Sequence, residues 1–125
     1  MIEFLEALKT KIKGSHPDFN IEIQSRYEQI FPDVRLEPIE EEWEHDNLGN
    51  VRTQQINFNV TRYISKGTFS DDVKAGEEFQ GYIYGLIKDM DIIKIFRCKI
   101  SSDEVPEQML VAVNGSFTVK LYKRR

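Results

Sequence analysis

Between Gln54 and Ser65 the chain reads QQINFNVTRYIS, and this stretch constrains the fold more than any other. Ile56, Phe58, Val60 and Ile64 occupy even positions, with Gln55, Asn57, Asn59, Thr61 and Ser65 between them. Successive strand side chains point to opposite faces, so the spelling predicts a long antiparallel strand with one apolar and one polar face. Valine, isoleucine, phenylalanine, threonine and tyrosine suit a pleated, half-buried surface. On a helix of 3.6 residues per turn the same apolar residues would scatter around the axis. Two positions break the alternation. Arg62 falls on the apolar face and Tyr63 on the polar one, as happens where a strand leaves a core or meets a partner.

Residues 2 to 13 have helical spacing: Leu5, Leu8 and Ile12 share a face, Met1 and Phe4 lie on nearby phases, and Glu3, Glu6, Lys9 and Lys13 lie elsewhere. Gly14 and the Ser15-His16-Pro17-Asp18 cluster end it. Ile21 and Ile23 alternate with Glu22 and Gln24 as a short strand. Tyr27, Ile30 and Phe31 lose that phase before a bend at Pro32-Asp33, and their aromatics are candidates either for a contact surface or for the underside of the sheet. Val34, Leu36 and Ile39 to Trp43 form a second strand, bent or bulged near Pro38 because proline cannot donate to a ladder. Ile39, Glu41 and Trp43 share a parity, which predicts an arm leaving the body of the protein. The turn formers of His45 to Asn50 return the chain as an acidic hairpin over about residues 37–53.

Ser70 is the expected N-cap of a second helix, with Asp71 and Asp72 in its first turn. It runs to about Asp89 on the stripe Phe79, Ile83, Leu86, Ile87 and Met90. Gly76, Gly81 and Gly85 each weaken it by up to about 1 kcal/mol relative to alanine, so tertiary packing has to hold it, and small residues permit close approach to a sheet. Asp91 opens a further apolar strand, IIKIFRCKI, in which Cys98 reads as a small core residue. Met109, Val111, Val113, Phe117, Val119 and Leu121 are all odd, with Asn114-Gly115 between the halves. Asn-Gly usually makes a two-residue hairpin, but here that would waste the apolar set. Because burial sets register, one long strand with a glycine kink is favoured. The order gives an α+β domain over residues 1–125: one mostly antiparallel sheet with both helices on its apolar face.

A chain of 125 residues, 40% apolar and 30% charged, holds one core without staples. Cys98 stands alone, which excludes an intramolecular disulfide and a multi-cysteine zinc site and favours a reducing compartment. No apolar run approaches the roughly 20 residues of a membrane span, and MIEFLEALKTKIK lacks a signal-peptide order, so cytosolic synthesis is expected. A net charge of −4 argues against nonspecific nucleic-acid binding. The charges are segregated. Glu37, Glu40, Glu41, Glu42, Glu44 and Asp46 crowd the hairpin, and Lys120, Lys123, Arg124 and Arg125 crowd the C-terminus. Either these are two independent solvated ends, or unlike patches meet between copies of the chain.

No nucleophile elbow, P-loop or dinucleotide fingerprint is present, and His16 and His45 lack metal-ligand spacing. Neither a cofactor nor a metal is expected: a divalent cation at Glu42, Glu44, His45 and Asp46 would need ligands that a hairpin tip cannot preorganise. Pro32-Asp33 with Asp72-Val73-Lys74 loosely matches a PD-(D/E)xK nuclease motif, but its second half falls on a helix instead of a strand, so the carboxylates would not converge.

The whole-chain pattern resembles the tail terminator, or tail completion, proteins of long-tailed bacteriophages, and the related head-tail joining and minor capsid proteins. The likeness lies in the helix ending near Gly14, the strand at Ile21 to Ile23, and the strand pair reaching through Trp43 to Gln54–Ser65. The Ser70–Met90 helix and the closing strands through Leu121 complete it. The resemblance implies a non-enzymatic virion protein, made in the host cytoplasm, that forms a homo-oligomeric, usually hexameric, ring. In that family the ring caps the tail tube, stops its growth and joins it to the head connector, with DNA met only in transit. Partner-binding positions under this reading are Tyr27, Phe31, Glu40, Glu41, Glu42, Trp43, Arg62, Tyr63, Lys120, Lys123, Arg124 and Arg125. A monomeric adaptor that binds one partner through the Trp43 arm is the alternative from another class.

Overall fold

The computed structural model describes the chain except Arg26, Gln29, residues 46–51, Lys66 and residues 124–125, and leaves the side chains of His45, Arg52 and Lys123 undescribed. The elements run α1 (Ile2–Ser15), β1 (Ile21–Ile23), β2 (Val34–His45), β3 (Arg52–Ser65), α2 (Phe69–Lys88), β4 (Lys94–Val105), a 3-10 turn (Pro106–Gln108) and β5 (Leu110–Lys123). One five-stranded sheet has the order β1-β2-β3-β5-β4. Every pairing is antiparallel except β1 with β2, which is parallel. The fold is α+β, as the periodicities predict.

β3 occupies the centre, and its even residues carry the core. Ile56, Phe58 and Val60 are buried with Leu5, Leu8, Ile12, Ile83, Ile87, Phe117 and Val119, beneath the two helices. Phe58 and Phe117 stack with centroids 5.5 Å apart. Fully burying such a side chain stabilises the fold by roughly 1.5–3 kcal/mol. β5 is one continuous strand, with Val60 opposite Gly115 and Phe58 opposite Phe117, so Asn114-Gly115 makes no hairpin. Burial of the odd residues outweighs the local turn preference.

Several local expectations need correction. The N-cap of α2 is Thr68, not Ser70: its backbone is extended and its hydroxyl accepts from the Asp71 amide at 3.4 Å. Asp72 turns back instead and accepts the Gly67 N–H with both carboxylate oxygens, at 3.1 and 3.0 Å. α1 continues through Gly14 to Ser15, whose hydroxyl meets Tyr82 of α2. The strand expected from Asp91 begins at Lys94. Cys98 is exposed, contrary to its reading as a core residue. Cys98 pairs with Phe117 on the helix side, as the alternation implies, but it stands on the edge strand β4, where the core does not close over it. Of the three glycines of α2, only Gly76 makes a close approach, against Val113; a Cβ at Gly81 or Gly85 would meet nothing within 4 Å.

Candidate functional site

The helices leave one face of the sheet bare. Cross-strand partners share a face, so the ladder registers order its side chains in rows. One row runs Glu37, Asn59, Ser116, Lys99; the next runs Glu40, Asn57, Thr118, Arg97; a third runs Glu42, Gln55, Lys120, Lys94. Over these three rows the face is acidic along β2 and basic along β4, and its middle is neutral except for Lys120. Asn57, Asn59, Arg97, Lys99, Ser116 and Thr118 line a shallow cleft of about 370 Å³ there. Asn59 Nδ2 donates to Glu37 Oε1 at 2.8 Å and Thr61 Oγ1 to Asn114 Oδ1 at 2.8 Å. Glu37 Oε2 and Asn57 Oδ1 are buried without a hydrogen-bond partner among the described residues.

At its β1 end this face is covered. Arg35 donates from Nε to Gln24 Oε1 and from Nη2 to the Glu28 and Ile30 carbonyls, holding the segment after β1 against the sheet. Its guanidinium lies 5.3 Å from the Tyr63 ring, which also meets Phe31 edge-on. Tyr63 is only 8% exposed and its burial pushes its pKa up, so it is a packing residue and not a free contact. Phe31 is half-buried with it. Tyr27 is 78% exposed. Arg62 sits on the helix side, half-buried, its guanidinium 4.4 Å from the Phe19 ring, and Nη1 donates to the carbonyls of Asp33 and Tyr63. Burial lowers its pKa and nearby Asp33 opposes that shift.

The acidic arm is less independent than its sequence suggests, because β5 runs alongside β3 as far as Arg52 opposite Lys123. Lys120 Nζ lies 3.2 Å from Glu44 Oε2, and this contact lowers the Glu44 pKa. The acidic hairpin and the basic C-terminal strand thus meet within one chain; they are not remote ends. Glu41 is tied to the same body. Its Oε2 accepts from the Met1 ammonium at 3.1 Å and from Gln54 Nε2 at 2.5 Å, and the ammonium is the main cause of its lowered pKa. Gln54, at the apolar-face parity of β3, is buried beside it. Trp43, 40% exposed, lies opposite Gln54. Glu40 and Glu42 remain exposed. Arg124, Arg125, Asp46 and the hairpin tip lie outside the described residues, as does the side chain of Lys123.

Of the expected contact residues, Arg62, Tyr63 and Phe31 pack within the chain, Glu41 and Lys120 form ion pairs within it, and Glu40, Glu42, Trp43 and Tyr27 are exposed. Sequence reading missed the basic column Lys94, Arg97 and Lys99. Its alternation was visible, but nothing local marks a strand as an edge. Among the described residues no three His, Cys, Asp or Glu side chains converge as metal ligands. Asp33 and Asp72 stay apart in their bonding, Asp33 accepting from the Asn20 amide and Asp72 from Gly67.

No protein-family model matches the chain, and no curated protein matches it.

Proposed function

We propose that this chain is a non-enzymatic structural protein of the virion, acting as a tail terminator: identical copies close into a ring that caps the tail tube, stops its growth and joins it to the head connector. The observation that carries this reading is the one-sided roof. Both helices cover one face, and the other is left polar with acid on one flank and base on the opposite flank. A closed ring needs two dissimilar surfaces repeated on every copy, and the two flanks meet that requirement. The middle of the face, amides and hydroxyls with Lys120 as its one cation in these rows, suits a channel wall, since it lacks the dense positive charge that grips phosphates.

Electron microscopy of the protein mixed with its cognate tube protein tests this reading. Capped tubes of fixed length, or free rings of the same diameter as the tube, are the expected result. Tubes that lengthen unchanged in its presence count against the reading, and a one-to-one complex that leaves growth unaffected points to the adaptor alternative.

A further inference from the structure

Both long edges of the sheet are open, and their charges are opposite. β4 pairs only with β5 among the described residues, leaving one side of a twelve-residue strand without a ladder partner. β1 pairs with β2 only over Val34–Leu36, so among the described residues the outer edge of β2 from Glu37 onward has no ladder partner either. An uncovered strand edge is a template for pairing with another chain.

The strand directions fix how a second copy would fit. β2, β3, β5 and β4 are successively antiparallel, so three reversals separate β2 from β4 and these two run in opposite directions. A second copy in the same orientation therefore presents its β2 antiparallel to the first copy's β4, with the polar faces continuous. At equal height the rows place Lys99 beside the second copy's Glu37, Arg97 beside its Glu40 and Lys94 beside its Glu42. Each of the three pairs is of unlike charge.

We infer that the basic Lys94–Lys99 edge of β4 takes the acidic β2 arm, Glu37–Trp43, of a second copy of this chain as an added antiparallel strand, making one continuous sheet between copies. The second copy's β1 lies level with Ile100–Ser102, so the copies fan apart below Lys99 and the contact is confined to the upper parts of the strands. The same contact recurs on the free edges of each new copy, which is the head-to-tail geometry that closes into a ring or continues as a filament. The inference rests on the ring reading above and names its interface.

Charge reversal tests it, because Glu40, Glu42, Lys94 and Arg97 are all exposed and their substitution leaves the core untouched. Three variants are compared with the wild type by sedimentation velocity across concentration and salt: K94E/R97E, E40K/E42K, and the quadruple variant carrying all four changes. The wild type is expected to self-associate, more weakly in high salt because ions screen the pairs. Each double variant should lose the assembly, and the quadruple variant, whose flanks are again opposite, should regain it, as should a mixture of the two double variants. Unchanged association in either double variant, or a loss that the quadruple variant does not recover, overturns the proposal. So does a wild type that stays monomeric, or one whose β4 edge binds the tube protein in place of a second copy. Tube capping is scored separately: capping that survives while charge complementation fails rejects this interface and keeps the functional reading. Complementation without capping does the reverse.

Discussion

Gln80 of α2 fills the space that a side chain at Gly115 of β5 would occupy. A Cβ built on Gly115 would fall within the Gln80 carboxamide. Gln80 is fully buried, and its Nε2 donates to the carbonyls of Val60 at 2.7 Å and Val113 at 3.0 Å, so one helix residue bridges the two central strands. Glycine stands at 115 because a polar hook from the roof enters the sheet there.

That relationship predicts coupled substitutions. Gly115→Ala forces the hook aside and should destabilise the protein by about 1–3 kcal/mol, the usual range for an overpacked interior. Gln80→Ala removes both hydrogen bonds to buried carbonyls and should cost about 1–3 kcal/mol. Because the two residues contest one space, the double variant should lose clearly less than the sum of the singles. Urea unfolding of the four proteins measures the cycle, and simple additivity contradicts the arrangement.

The glycines of α2 should respond with opposite signs. Gly81→Ala and Gly85→Ala add a methyl to open space and should stabilise by about 0.5–1 kcal/mol through helix propensity. Gly76→Ala gains the same propensity but drives a methyl into Val113, so its net effect should be a loss of about 1–3 kcal/mol. Thermal unfolding of the three variants checks the sign at each position.

Glu41 should contribute an acid-sensitive part of stability. Its pKa is lowered in the folded chain, first by the hydrogen bond from the Met1 ammonium. A depressed carboxylate stabilises fully above its unfolded pKa, and that contribution is lost as pH falls through the folded value. The side chain is 39% exposed, so solvent screening keeps the effect modest. Glu41→Gln should therefore lower stability near neutrality and flatten its decline in acid, measured as the unfolding midpoint against pH. A wild-type-like acid slope in the variant would falsify the contact.

Cys98 gives a direct test of the edge position of β4. Its thiol is exposed, although partial burial pushes its pKa up. The native protein should react completely with a thiol reagent without denaturant, more slowly than free cysteine at the same pH and faster as pH rises, because the thiolate is the nucleophile. Protection until unfolding would place β4 inside the core.

Much of the fold was legible because burial writes a period into the sequence. The even residues of Gln54–Ser65, the odd residues from Val111 to Leu121 and the stripe from Phe79 to Met90 each named their buried face. The same logic read through Asn114-Gly115, where a turn rule alone would have broken β5. The candidate surface was legible only in part. Glu40 to Glu44 were recognisable as an exposed acidic arm, but their contacts with Met1 and Lys120 join residues 40 and 76 positions apart, which no local pattern encodes.

By itself the sequence determined which residues leave water, since alternation and helical spacing are set by backbone geometry and by the hydrophobic effect acting on each residue. Strand order was decided only in the tertiary structure, because any amphipathic strand can in principle stand at the centre or at the edge of a sheet. That choice buried Phe58, left Cys98 in solvent, and set the acid of β2 and the base of β4 on opposite flanks of one polar face.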